Sequence, residues 1–72
     1  MGDNCYYVIR FNGTSDYYAH DFCKSKCLVG RVGFEFADRY GTRDRALLAY
    51  NLLFKEHDVG IYKVTSTIEK VL

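Results

Sequence analysis

The dipeptide Asn12-Gly13 constrains the fold of this chain more than any other feature of its sequence. Both residues tolerate positive φ, so Asn-Gly is the strongest short-range indication of a β-hairpin. Residues 5–11, just before it, are rich in aromatic and β-branched side chains, as is typical of a strand. A returning strand is expected over residues 16–22. The chain is therefore predicted to begin with an antiparallel hairpin.

The remaining elements follow from turn residues and apolar spacing. Residues 28–36 are predicted to form a third strand. Thr42 is suited to cap a helix, because its hydroxyl can accept a hydrogen bond from a free backbone N–H group of the first turn. The helix is predicted over residues 43–56 and a last strand over residues 61–71. The helix stripe expected to face the sheet consists of Ala46, Ala49, Tyr50, Leu53 and Phe54, with Leu47 at its margin.

This element order, β-β-β-α-β, predicts a single α+β domain over residues 1–72. An antiparallel sheet of about four strands is expected to be covered on one face by the single helix, and the sequence does not indicate which sheet face is exposed. The composition, 49% hydrophobic and 17% aromatic, is sufficient for a packed core and argues against a disordered chain.

The net charge of +1 excludes two classes of function. A strongly basic nucleic-acid module would show an excess of Lys and Arg, and an acidic DNA mimic would show the reverse. The first apolar run, residues 5–11, is too short for a signal peptide. No run approaches the roughly 20 apolar residues of a membrane helix. We therefore expect a soluble cytoplasmic protein without a membrane partner.

Four residues together have the chemistry of a zinc site: Cys5, His20, Cys23 and Cys27. Their spacing matches no standard zinc pattern and contains no Cys-x-x-Cys. Free cysteine also behaves as a small apolar side chain. Structural cysteines are the favoured interpretation, with zinc and a regulatory disulfide as alternatives. We predict no metal and no cofactor.

Catalytic residues are few. The chain has two histidines, His20 and His57, and neither a nucleophile elbow nor a phosphate loop. His20 and Cys23 could form a nucleophile pair, but a small sheet leaves little room for a deep pocket. We predict that the protein is not an enzyme.

Two features indicate binding of a protein partner instead. Leu48 and Leu52 are four residues apart on the predicted helix, on the side away from its apolar stripe. The hairpin strands carry tyrosines, and alternation along a strand sends one of each adjacent pair outward. The same features have structural explanations, because exposed leucines are common and cross-strand tyrosines stabilise hairpins. The candidate partner-binding residues are Tyr6, Tyr17, Tyr18, Arg45, Leu48 and Leu52.

The segment RVGFEFA at residues 31–37, with the helix and last strand after it, resembles the second half of an RNA recognition motif. That family stacks bases on aromatic side chains of its central strands. In the first half, Asn-Gly and another strand follow the first strand where the family has a helix. The resemblance implies an alternative function, nucleic-acid binding. Its candidate residues are Phe34, Phe36, Arg10, Arg31 and Arg39.

The layout of the whole chain resembles that of small accessory proteins of bacteriophages. Those proteins have a Tyr-rich first hairpin and an Ala-x-x-aromatic-x-Thr-x-x-x-Ala pattern leading into one helix. Ala37, Tyr40, Thr42 and Ala46 match the pattern here. The resemblance implies a viral protein that binds a host or defence protein and inhibits or redirects it. A homodimer formed through the helix leucines or a free sheet edge is a further possibility.

Overall fold

The structure is a computed structural model that describes residues 5–20 and 30–72. Its strands form one antiparallel sheet, and the helix packs on one face of it. The predicted α+β class, with an antiparallel sheet and one covering helix, is confirmed. The described elements are β1 (Tyr6–Phe11), β2 (Tyr17–Tyr18), β3 (Arg31–Val32), a 3₁₀ helix (Phe34–Phe36), α1 (Arg43–Leu53), β4 (Val59–Val64) and β5 (Ile68–Lys70). The strand order in the sheet is β3-β2-β1-β4-β5.

The centre of the sheet is the pairing of β1 with β4, which runs along the full length of both strands. Ile9 lies opposite Ile61, and both side chains are fully buried. The sheet-facing side of α1 covers them with Ala46 and Leu53, which are also buried. The main core therefore lies between α1 and the two central strands.

The opposite face of the sheet has a smaller core of its own, because the segment after β3 folds across it. Ala37 is buried there with Val8, Tyr17 and Val64. The ring of Phe34 meets the ring of Tyr17 edge-on, with 5.3 Å between their centroids. This second face is therefore only partly open to solvent.

The predicted hairpin is present, but its connection is longer than a two-residue turn. Gly13 adopts a φ of 76°, a left-handed conformation that glycine tolerates best. The backbone N–H of Thr14 donates to the carbonyl of Phe11 at 3.1 Å, and the N–H of Phe11 donates to the carbonyl of Asp16 at 3.0 Å. The return strand β2 ends at Tyr18, whereas the sequence predicted residues 16–22, of which 21 and 22 lie outside the described residues.

The third strand is shorter than predicted. β3 contains two residues, and Phe34–Phe36 forms a 3₁₀ helix where the sequence predicted a strand. The N–H of Phe36 donates to the carbonyl of Gly33, and the N–H of Ala37 donates to that of Phe34. This turn directs Phe34 onto the sheet and leaves Phe36 61% exposed. The two rings therefore do not share one face, as they would on the predicted strand.

The last predicted strand, residues 61–71, is also wrong as a single element. It is divided into β4 and β5 by a turn at residues 65–67, in which the N–H of Thr65 donates to the carbonyl of Thr67 at 2.8 Å. Ile68 consequently folds back opposite Val64. The described sheet has five strands for this reason, where about four were predicted.

The helix begins as predicted and ends earlier. The hydroxyl of Thr42 accepts from the backbone N–H of Arg45 at 3.2 Å, so the predicted N-cap is present. The helix ends at Leu53, and residues 54–56 form a turn. Phe54 is 44% exposed and stacks on Tyr50 with 5.3 Å between ring centroids. The predicted place of Phe54 among the sheet-facing residues is therefore wrong.

The two-sided core makes a direct prediction for stability. Ile61→Ala should lower the free energy of unfolding by about 2–5 kcal/mol, because it removes a fully buried side chain from the central pair. Leu52→Ala is the matched control: Leu52 is 81% exposed, and its truncation should change stability by about 0.5 kcal/mol or less. Urea unfolding measures both variants. Equal losses would contradict the assignment of the core.

Candidate partner-binding surfaces

The outer side of α1 carries the two leucines with the highest exposed fraction among the described residues. We call Arg45, Leu48 and Leu52 the α1 surface. Leu48 is 70% exposed and Leu52 is 81% exposed, and they are one helical turn apart. Arg45 is exposed beside them, and its guanidinium has no hydrogen-bond or ion-pair partner within the described residues.

The helical repeat explains this placement. Ala46 and Leu53 face the sheet, so positions about half a turn away must face solvent. Leu47 packs against the core from the margin of the buried stripe, whereas the next residue, Leu48, lies on the outer side. Full burial of a leucine side chain contributes about 1.5–3 kcal/mol of favourable free energy. Because folding leaves Leu48 and Leu52 mostly exposed, most of this contribution is still available to the binding of a partner.

The tyrosines predicted to bind a partner are distributed differently. Tyr17 and Tyr18 point to opposite faces and are only 6% and 7% exposed. Alternation is present as expected, but both faces are covered, Tyr17 by Phe34 and Tyr18 by the core under α1. The expectation that one ring of this pair is exposed is therefore wrong. Tyr6 is partly buried, and the guanidinium carbon of Arg39 lies 4.8 Å from its ring centroid.

The arginines of the nucleic-acid alternative do not share one surface. Arg31 forms an ion pair with Asp16 at 2.9 Å, and its guanidinium carbon lies 4.5 Å from the ring centroid of Phe11, on the α1 side of the sheet. Arg10 lies opposite Tyr17 on the other side. Arg39 is placed over Tyr6. Each of the three cations is therefore engaged with an aromatic ring of the chain itself.

Arg10 is the most closely held of these cations. Its Nε donates to the carbonyl oxygen of Thr14 at 2.7 Å. Its guanidinium carbon lies 5.8 Å from the ring centroid of Tyr17 and 5.6 Å from that of Tyr62. These contacts are within the range of cation–π attraction and fix the direction of the side chain.

A group of polar residues next to Arg10 was not identified from the sequence. The hydroxyl of Tyr62 donates to Asn12 Oδ1 at 3.0 Å, and Asn12 Nδ2 donates to Asp58 Oδ1 at 3.0 Å. Lys70 lies opposite Tyr62 in the sheet. Asn12 is thus a turn residue that also ties the hairpin to the start of β4. Recognising the polar Thr-Ser-Thr turn at residues 65–67 would have predicted that Lys70 folds back beside Tyr62.

His20 has structural partners. Its backbone N–H donates to Asp38 Oδ2 at 2.9 Å, and its Nδ1 lies 3.3 Å from the hydroxyl of Tyr18. His57 meets the ring of Phe11 edge-on.

Burial raises the pKa of Tyr40 above its ordinary range, and the negative charge of Asp38 adds to the shift.

Two of the four candidate zinc ligands, Cys23 and Cys27, lie outside the described residues. Cys5 is a partly buried free thiol. Residues 5–20 and 30–72 contain no group of three or more side chains placed to hold a metal ion.

Comparisons with protein-family models, with curated proteins and with solved structures found no match for this chain. None of the described helices combines the length and apolar character needed to cross a bilayer.

The raised pKa of Tyr40 predicts a loss of stability in alkali. The folded protein keeps the Tyr40 proton at a pH where the unfolded chain releases it, near the ordinary value of about 10. The contribution of protonated Tyr40 to the free energy of unfolding is therefore complete below pH ~10 and is lost as pH rises through the folded-state pKa. Tyr40→Phe cannot ionise, so its unfolding free energy should fall less between pH 8 and pH 11 in urea titrations. Parallel falls in both proteins would refute this assignment.

Proposed function

We propose that this chain is a small protein-binding module that contacts its partner through the α1 surface. The observation that supports the proposal is the exposure of Leu48 and Leu52 on one side of the helix, 70% and 81%. Residues four apart on a helix form a continuous stripe, which is how helices present anchors to a partner.

The composition of the α1 surface is suited to a protein interface. Two leucines supply an apolar centre, and Arg45 supplies a charge at its margin, a residue type enriched in interfaces. A few anchors at the centre of a contact carry most of its binding free energy. Because the anchors are part of a regular helix on a packed core, binding orders little of the chain and its entropic cost is small.

We further propose that the partner is a host or defence protein and that the chain inhibits or redirects it by covering a surface. This part rests on the resemblance of the layout to bacteriophage accessory proteins, with Ala37, Tyr40, Thr42 and Ala46 as the matching residues. Such a mechanism needs no catalytic group of its own. It requires only a folded domain that presents the α1 surface.

Nucleic-acid binding is the alternative. Phe36, 61% exposed, is its best-placed aromatic side chain. The geometry supports this alternative less, because Arg10 and Arg31 project from opposite faces of the sheet and Arg31 is already paired with Asp16. A backbone-binding groove needs cations that follow one surface.

Capture from a bacterial lysate tests the proposal. The tagged chain should retain one protein in stoichiometric amount after nuclease treatment and at moderate salt. Leu48→Gln with Leu52→Gln should abolish retention, because the apolar anchors are lost. Both side chains are exposed and Gln has a good helix propensity, so the fold should be unaffected.

Ile68→Gln is the matched control, since it removes a partly exposed apolar side chain from β5, away from the α1 surface. Its capture should equal that of the unmodified chain. Undiminished capture by the double variant would disprove a role for the α1 surface. Recovery that requires intact nucleic acid and falls steeply with salt would favour the alternative.

A further inference from the structure

We propose that Arg10 and Lys70 form a binding site for a phosphate group on the sheet face opposite α1. The site is separate from the α1 surface, so the inference goes beyond the proposed function. It rests on three observations: the strand register, the close approach of the Lys70 side chain to Gly60, and the lack of a counter-ion for either cation within the described residues.

The register places both cations on one face. Arg10 in β1 lies directly opposite Gly60 in β4. Lys70 in β5 lies opposite Tyr62, two residues along β4 from Gly60 and therefore on the same face. Side chains of directly opposite residues are about 5 Å apart at Cβ, and diagonal neighbours are about 7–8 Å apart.

Gly60 lets the side chain of Lys70 cross toward Arg10. A Cβ atom at Gly60 would lie 3.1 Å from Lys70 Cε, 3.1 Å from Asn12 Oδ1 and 3.3 Å from a ring carbon of Tyr62. The space a side chain would take is thus filled by the stem of Lys70. The side chain of Lys70 therefore extends over Gly60, the residue directly opposite Arg10.

The two cations lack a counter-ion within the described residues. The Nε of Arg10 is bonded to Thr14, and no acceptor of the described chain engages its other N–H groups. Lys70 makes no ion pair within the described residues. Asp58, which accepts from the amide of Asn12, and Asp16, which is paired with Arg31, form no ion pair with either cation. Two unneutralised positive charges on one face attract an anion.

Phosphate is suited to this pair of groups, because it has enough oxygens to engage both. A guanidinium can donate two parallel hydrogen bonds to phosphate oxygens, and an ammonium contributes a compact charge to the remaining oxygen. The tyrosine rings on both sides of Arg10 and the bond to Thr14 hold the guanidinium in place before the ligand arrives. Little ordering is then left to oppose binding. The ligand class is a phosphate group, either free or in a phosphate ester.

A ¹⁵N–¹H NMR titration of the whole chain at moderate salt tests the site, with inorganic pyrophosphate in one arm and a nucleoside monophosphate in the other. Saturable shifts are expected at the amides of Gly60 and Lys70 and at the Arg10 Nε–H. Tighter binding of pyrophosphate would support a site for free phosphates, and tighter binding of the monophosphate would support a site for phosphate esters.

Arg10→Gln and Lys70→Gln should each weaken binding about tenfold, the effect of losing one charged hydrogen-bonding group. Arg43→Gln is the control, because it changes the net charge equally from the exposed start of α1. Lys70 is exposed on an edge strand, so its variant remains informative even where Arg10→Gln disturbs the hairpin. Shifts that never saturate, or equal weakening by the control, would overturn the proposal.

Discussion

The pairing of β1 with β4 is the interaction on which the rest of this structure depends. It joins a strand near the start of the chain to one near its end, from Tyr6 opposite Val64 to Phe11 opposite Val59. β2 is attached to one side of this pair and β5 to the other, and α1 packs across it. Closing so long a loop costs entropy, and the buried isoleucines and the helix contacts have to offset that cost.

The central pair also determines which surfaces remain for binding. One of its faces is covered by α1, and the other is covered in part by the segment that contains Phe34 and Ala37. Most aromatic side chains are used in these two cores. Leu48 and Leu52 are the most exposed large apolar side chains of the described residues, while the second face retains polar and cationic side chains around Arg10. The two proposed surfaces therefore lie on opposite sides of the molecule and differ in chemistry.

Local chemistry was readable from the sequence. Asn12-Gly13 predicted the hairpin because one residue with positive φ is needed there, and Thr42 predicted the helix start because its hydroxyl caps free N–H groups. The helical repeat likewise placed Leu48 and Leu52 outside. Features that depend on contacts between distant parts of the chain could not be predicted from the sequence. The 3₁₀ helix at Phe34–Phe36 forms where this segment crosses the sheet. Strand alternation predicts that Tyr17 and Tyr18 point to opposite faces, but it does not show that other parts of the chain cover both side chains.

Native-state amide hydrogen exchange tests the dependence on the central pair most directly. If β1 and β4 form the frame, their amides exchange most slowly, with protection equal to the free energy of global unfolding. The amides of β3 and β5 then exchange faster, through local opening of short outer strands. Slowest exchange in β5, or fast exchange in β1 while α1 stays protected, would contradict the account.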